Sequence, residues 1–293
     1  MLPSNARRLL SFSMAMKIAI QGEPGAFSHE AALKLVPGAE IVPCALSAEV
    51  FRALDSGAAD AAAIPIENSL AGSVLEHFDL LLKHDVRVVR ETLVRIKHNL
   101  IALPGASIAQ IDRVFSHPVA LAQCRRFLAA HPRMKAIGFY DTAGSVKQLA
   151  ELGERSVAAI ASQEAATVYG AEILVRGIED DPENYTRFFL VERSPEAQTD
   201  ADANKMSIAF TLENRPGSLV AALSALSAIG TNLSKIESRP VHGKPWEYIF
   251  YVDCQIVTSS EGARALDALR PHCGMVKELG RYREARSLDG TAS

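Results

Sequence analysis

This sequence lacks the usual marks of a metal, nucleotide or membrane protein. Its eight histidines form no H-E-x-x-H and no metal-ligand spacing. There is no G-x-G-x-x-G loop and no Walker A sequence, so neither a metal nor a nucleotide cofactor is expected. Cys44, Cys124, Cys254 and Cys273 form no C-x-x-C pair, and a chain of 293 residues can build cores without disulfides. Reduced thiols in a cytoplasmic protein are the expectation. Net charge is -3, with both signs spread along the chain, so no basic field attracts nucleic acid or a lipid surface. No apolar run is long enough to cross a bilayer. Arg7-Arg8 before Leu9-Leu10-Ser11-Phe12 faintly echoes a secretion signal, but the apolar stretch is short and no clear cleavage site follows. The first fifteen residues therefore read as an unfolded extension, or as a start placed ahead of Met14 or Met16.

What is present is a soluble globular composition, 48% hydrophobic and 22% charged, arranged in two zones. From Lys17 to Val191, strand-like runs alternate with helix-like ones. Lys17–Ile20, Ile41-Val42 and Ala61–Ile66 read as strands, with helices opening near Ser28 and Ser47 and over Val74–Leu82. Val86–Ile96 and Leu100–Leu103 follow without a helix between them and read as strands crossing to a second lobe. That lobe runs through Val114-Phe115, a helix over Pro118–Ala130, Ala136–Phe139, a helix near Ser145–Leu152, Val157–Ile160 and a helix near Glu164–Tyr169. Arg187–Val191 reads as a return to the first lobe. Such alternation gives parallel sheets covered by helices, and a cleft between two lobes suits a small ligand. Arg193–Asn204 is polar and reads as a linker. Beyond it, strand, helix, strand, strand (Trp246–Cys254), helix and strand follow in the βαββαβ order of a ferredoxin-like unit.

The candidate chemistry sits at strand ends. Gly22-Glu23-Pro24-Gly25-Ala26-Phe27-Ser28 joins the first strand to its helix, and its glycines permit close backbone approach to a ligand. Glu67-Asn68-Ser69 ends the third strand, where open α/β sheets bind ligands. Ser116-His117-Pro118 and Asp141-Thr142-Ala143 each follow a strand and open a helix, and each also has an ordinary reading as a helix cap. Thr186-Arg187-Phe188 sets a hydroxyl, a guanidinium and an aromatic ring side by side.

The ordered set Gly25-Ala26-Phe27-Ser28, Pro65-Ile66-Glu67-Asn68-Ser69, His117-Pro118 with Ala120-Leu121-Ala122-Gln123, Asp141-Thr142-Ala143 and Thr186-Arg187-Phe188 resembles the prephenate dehydratase family. The segment with Gly217-Ser218-Leu219-Val220 and Glu237-Ser238-Arg239-Pro240 resembles that family's ACT regulatory domain. The resemblance spans about Lys17 to Arg283 and extends to the plant arogenate dehydratases. It implies a bilobal, periplasmic-binding-protein-like catalytic domain over 17–195, with a second lobe near 97–175, and a ferredoxin-like ACT domain over 205–286. It implies cofactor-free loss of carbon dioxide and water from prephenate to give phenylpyruvate. Thr186 is then the proton donor, and Ser28, Asn68, Ser69, Ser116, Thr142, Arg187 and Phe188 are the substrate-binding residues. L-Phenylalanine, as feedback inhibitor, is expected on Asn214, Gly217, Ser218, Leu219, Val220, Glu237, Ser238, Arg239 and Pro240, in a homodimer or homotetramer. Two positions depart from the family pattern: Val119 replaces a frequent Gln, and Ser218 replaces Ala. Two other readings stay open: arogenate as the substrate, and a non-catalytic amino-acid sensor with the same cleft.

Overall fold

In a computed structural model of the chain, the described residues are 15–197, 200–241 and 247–285. The expectations for the first fourteen residues, for Trp246 and for position 286 lie outside them.

The first lobe contains β1 (Lys17–Gln21), α1 (Phe27–Leu35), β2 (Glu40–Cys44), α2 (Ser47–Asp55), β3 (Ala61–Asn68), β4 (Gly72–Ser73), α3 (Leu75–Lys83) and β5 (Val86–Arg95). The second contains β6 (Asn99–Ala102), β7 (Arg113–Ser116), α4 (Pro118–Ala122), α5 (Arg125–Ala130), β8 (Lys135–Gly138), α6 (Thr142–Leu152), β9 (Val157–Ala161), α7 (Gln163–Val168) and β10 (Glu172–Val175). The chain then returns as β11 (Tyr185–Arg193). It finishes with β12 (Lys205–Leu212), α8 (Ser218–Ala228), β13 (Leu233–Pro240), β14 (Tyr248–Gln255), α9 (Ser259–Leu269) and β15 (Met275–Tyr282).

Strand order in the first lobe is β2-β1-β3-β11-β5, in the second β10-β6-β9-β7-β8, and in the C-terminal unit β13-β14-β12-β15. β1 lies parallel to β2 and β3, while β11 runs antiparallel between β3 and β5. The small residues Ala61, Ala62 and Ala63 of β3 are fully buried, which lets both faces of this sheet be covered closely. Two connections join the lobes, from β5 to β6 and from β10 to β11, and they bind each other. Ile96 N donates to Asn184 O at 2.7 Å, and Ile178 N donates to His98 O at 2.9 Å.

The single helix expected over Pro118–Ala130 is two helices. Asp180, in the second connection, accepts from the backbone N–H groups of Arg125 and Arg126 at 3.0 and 2.9 Å. Its own N–H donates to Gln123 O at 2.7 Å. A distant carboxylate thus caps a new helix start and ends the first helix early.

The C-terminal unit does not hang from its linker. Phe78, Val86, Val88, Phe189 and Val191 of the first lobe share one apolar core with Ala209, Tyr251, Leu279 and Tyr282 of β12, β14 and β15. α1 covers the other face of the first-lobe sheet, against Ile18, Ile20, Ala61, Ala63 and Leu190. Along β11 the side chains therefore alternate, with 187, 189 and 191 toward the C-terminal unit and 186, 188 and 190 toward α1.

Candidate active site

Between the lobes lies a cavity of about 670 Å³. Three helix starts face it, at Phe27-Ser28 of α1, at Val119-Ala120 of α4 and at Thr142 of α6. First-turn N–H groups and the positive helix end favour bound anions. The described residues lining the cavity include no lysine or arginine.

Thr186 stands on the floor of this cavity, where strands β3 and β11 pair it directly with Asn68. Asn68 Nδ2 donates to Asn184 Oδ1 at 2.7 Å and to Thr186 Oγ1 at 2.9 Å, with Tyr185 O a longer third acceptor at 3.1 Å. The amide orientation is fixed from its other end. Asn68 Oδ1 accepts from Leu70 N at 3.0 Å and Ala71 N at 2.8 Å, so the NH₂ group must face Thr186. Since Thr186 Oγ1 accepts there, its own proton is free to point into the cavity.

Ser28, Thr142 and Phe188 also line the cavity. Three other expected substrate ligands do not, and their contacts explain why. Ser116 is fully buried in the second lobe, and its hydroxyl donates to Ile160 O at 2.6 Å. Ser69 Oγ donates to Glu183 O at 2.9 Å and accepts from Tyr185 N at 3.0 Å, tying β3 to β11. Arg187 points away from the cavity because strand neighbours of Thr186 and Phe188 face the opposite side. Its Nη2 pairs with Asp253 Oδ2 at 2.7 Å, Nε lies 3.5 Å from Glu91 Oε2, and Nη1 lies 3.7 Å from Glu67 Oε2. Burial works against this charge, but Asp253, Tyr282 and Glu91 outweigh it and hold the guanidinium above its ordinary pKa.

Several lining residues were not among the expected ligands. His98 sits where the first connection crosses between lobes, 2% exposed. Its Nε2 is 2.9 Å from Gln123 Oε1, and Phe27 meets its ring edge-on at 5.6 Å. Burial lowers its pKa, so the ring is neutral near pH 7, and Nδ1 has no hydrogen-bond partner among the described residues. Glu23 reaches across the cleft to Tyr140 Oη at 2.9 Å and Lys147 Nζ at 3.2 Å. Burial and Glu23 push the Tyr140 hydroxyl up to about 12. Asp141 caps α6 by accepting from Gly144 N at 2.7 Å, and burial raises its pKa against that bond. A crossing point is legible as a site in a bilobal sequence; contacts between Glu23 and Lys147, 124 positions apart, are not.

The glycines of the first loop serve the fold of the cleft. Gly25 has φ +90°, and a Cβ there would lie 2.6 Å from Ala165 Cα of the second lobe. Ser162 Oγ donates to Gly25 O at 2.6 Å in the same place. The close approach expected toward a ligand is thus made to the opposite lobe.

In the C-terminal unit, Asn214, Gly217, Val220, Ser238 and Pro240 are exposed, and Ser218 and Leu219 are half-buried. Glu237 and Arg239 instead face the first lobe. Glu237 Oε2 accepts from Ser73 Oγ at 2.9 Å, and Arg239 pairs with Asp79 at 2.6 Å. On β13, as on β11, residues adjacent in sequence serve opposite faces.

Comparison with known proteins agrees with this architecture over most of its length. The family model for prephenate dehydratase matches residues 18–196. A chloroplastic arogenate dehydratase/prephenate dehydratase of Arabidopsis thaliana is 39% identical over 277 residues, covering 91% of this chain and 72% of that protein. The crystal structure of prephenate dehydratase from Arthrobacter aurescens in complex with L-Phe superposes with a TM-score of 0.83 at 34% identity, covering 92% of this chain and 90% of that one. A structure described as GqqA, a novel type of quorum quenching acylase, also superposes with a TM-score of 0.83 at 34% identity, covering 91% and 97% of the two chains. A two-lobed α/β cleft with Thr186 on its floor, a match over the whole of both lobes and this identity to a curated dehydratase lead to one assignment: the chain belongs to the prephenate dehydratase family.

Proposed function

We propose that this chain converts prephenate to phenylpyruvate, with Thr186 as proton donor. The carrying observation is the direction of the Asn68–Thr186 hydrogen bond, which leaves the threonine proton for the cavity. In the reaction the bond from the ring carbon to its carboxylate breaks and carbon dioxide departs. Those electrons make the ring aromatic and expel the hydroxyl, which takes one proton and leaves as water. Thr186 gives that proton and regains one from solvent. A threonine is a weak acid, so placement must compensate for acidity. Aromatisation supplies the driving force. With no lysine or arginine among the described lining residues, the first-turn N–H groups of α1 are the supports for a substrate carboxylate, with Ser28 and Thr142 beside them, since Asp141 and His117 already accept from the first turns of α6 and α4. An assay of phenylpyruvate formation from prephenate, run on the native chain and on Thr186→Ala, tests this. Turnover of the Thr186→Ala protein at the native rate would remove the assignment.

One observation favours a second substrate. Glu23 and Asp141 both line the cavity and offer carboxylates to an ammonium group. Arogenate differs from prephenate by carrying that group in place of a keto group. The ratio of kcat/KM values for the two substrates on one preparation decides between them.

L-Phenylalanine as an effector belongs to the same reading. Leu212 and Pro240 both stand opposite Tyr248, so the turn at Gly217 and the end of β13 reach the same end of the sheet. Gly217, with φ +83°, opens α8, whose first-turn N–H groups suit a carboxylate, beside the exposed Val220. The complex of the Arthrobacter aurescens protein with L-Phe supports this reading, as does the exposure of the segment here. A second copy of the chain completes the effector site, in a dimer or tetramer. Sedimentation with and without phenylalanine, alongside inhibition kinetics, tests the effector and the assembly together.

A further inference from the structure

We propose that Lys235, Glu67, Arg187 and Asp253 form a positioning clamp through which the C-terminal unit holds the Thr186–Asn68 pair in working geometry. The proposal rests on the reading of Thr186 as proton donor. Thr186 stands opposite Asn68 in the sheet, and Arg187 stands opposite Glu67. The first pair meets on the cavity side of the sheet, and the second lies directly behind it, one residue along each strand. Each member of the rear pair is gripped by a different strand of the C-terminal unit. Lys235 Nζ of β13 reaches Glu67 Oε1 at 2.7 Å, and Asp253 Oδ2 of β14 reaches Arg187 Nη2 at 2.7 Å.

β5 holds β11 in regular register from Tyr185 to Leu190, but on the β3 side the ladder shifts register between Arg187 and Phe188, beside the Thr186–Asn68 pair. On that side the side-chain contacts add to the local geometry. Asp253 is in turn fixed, because its Oδ1 accepts from Ser207 Oγ at 2.5 Å, and Ser207 Oγ lies 2.5 Å from the Tyr282 hydroxyl. Glu91 faces Arg187 Nε at 3.5 Å, yet neither atom has a hydrogen-bond partner among the described residues. That contact is one short movement from closing. Lys235 also donates to Ser73 Oγ at 2.9 Å, and Ser73 lines the cavity. A change in the β13–β14 edge is thus passed to the floor and the wall of the site at once. β13 carries the Glu237–Pro240 segment, which places the clamp on the route from effector to chemistry.

The test uses the full chain, with Asp253→Asn and Lys235→Gln. Asp253→Asn preserves size, Lys235→Gln is a shorter neutral side chain, and each removes one charge of the clamp. The expected result is a kcat lower by on the order of tenfold or more with KM for prephenate changed by about twofold at most, since positioning acts on the transition state. Combining Lys235→Gln with Glu67→Gln should cost little more than the worse single change, as for groups acting as one unit. Circular dichroism confirms that the measured protein is folded. If Asp253→Asn does not fold, Lys235→Gln and the double variant carry the test. Native kcat in folded variants, or a raised KM with native kcat, overturns the clamp. Thr186→Ala is measured beside them. If it abolishes turnover while the clamp variants keep native kcat, the clamp alone is rejected. If it keeps turnover, the Thr186 reading falls and the clamp falls with it.

Discussion

The first lobe meets two neighbours, and the two boundaries are built differently. Toward the second lobe the contact is thin and mixed. It includes two backbone connections, Ala26 seated in the second lobe's apolar cluster, the loop around Gly25 packed on Ala165, and the Glu23–Tyr140–Lys147 contacts. Toward the C-terminal unit the contact is a continuous apolar core with a buried ionic network behind it. Lys277 seals one margin by donating to the carbonyls of Leu81, Leu82 and His84 at the end of α3. A thin boundary around a cavity suits entry and exit of a small molecule. A boundary sharing a core makes two units into one mechanical body. The C-terminal unit is therefore part of what holds β11 in place.

The sharpest way to test the cavity side is Thr186→Ala. A fall in kcat of about 10²- to 10⁴-fold is expected, the range for losing a positioned proton donor. The thermal midpoint should stay near native, because a small half-cleft hydroxyl is lost and no core is opened. The sharpest way to test the other boundary is to stop the chain after Pro195. That change exposes Phe78, Val88, Phe189 and Val191 and leaves Arg187 and Glu91 without Asp253 and Lys205. The newly exposed apolar surface is the main loss, since the freed charges become solvated. The truncated chain should lose cooperative unfolding or aggregate; a sharp transition near the native midpoint would refute the shared-core account.

Two glycines separate the boundaries more finely. A Cβ at Gly280 would collide with the backbone oxygen of Val88, between β15 and β5. A Cβ at Gly25 would meet the second lobe. Each alanine variant should destabilise by about 1–3 kcal/mol, the usual cost of overpacking, with Gly25 adding backbone strain from its positive φ. The comparison predicts different secondary effects. Gly25→Ala should also change KM for prephenate, whereas Gly280→Ala should act on kcat and stability together. Denaturant melts paired with steady-state kinetics would show this.

The smallest effect concerns pH. His98 is buried and its pKa lies below its ordinary value of 6.5. The unfolded chain therefore binds a proton near pH 6.5 that the folded chain refuses. The contribution to stability is full above that pH and is lost as pH falls from 6.5 toward the lowered folded value. Replacing His98 with Gln should flatten the acid limb of a melting-temperature profile over that window. An unchanged limb would assign the dependence to the other depressed histidines, His29 and His77.

Much of the fold was legible because it is periodic. The alternation of strands and helices, the two crossing strands and the βαββαβ order follow from spacing alone. The site was legible where it sat at strand ends, as at Asn68, Thr142 and Thr186. It was misread where adjacency in sequence was taken for adjacency in space. Arg187 between Thr186 and Phe188, and Glu237 and Arg239 around Ser238, all fall on the far face of their strands. That error has a simple source, since a strand reverses side at every residue. His98 was harder, because it lies in no motif and only the crossing of the two connections brings it to the cavity. Glu23 and Asp141 stood in named motifs, and only their contacts across the cleft were hidden. Ser116 and Ser69 were lost to backbone partners that only the packed sheet supplies.

The alternation along β11 also bears on how this chain can vary between relatives. One side of the strand faces the cavity and the other faces the C-terminal core. A residue added just ahead of Thr186 would turn over the side chains on one side of it unless a bulge took it up. Without a bulge, Arg187 would face the cavity and Thr186 the core. Substitutions in this segment can be absorbed one at a time, whereas a change of length there needs a compensating bulge of the kind already present between Leu190 and Val191 against β5.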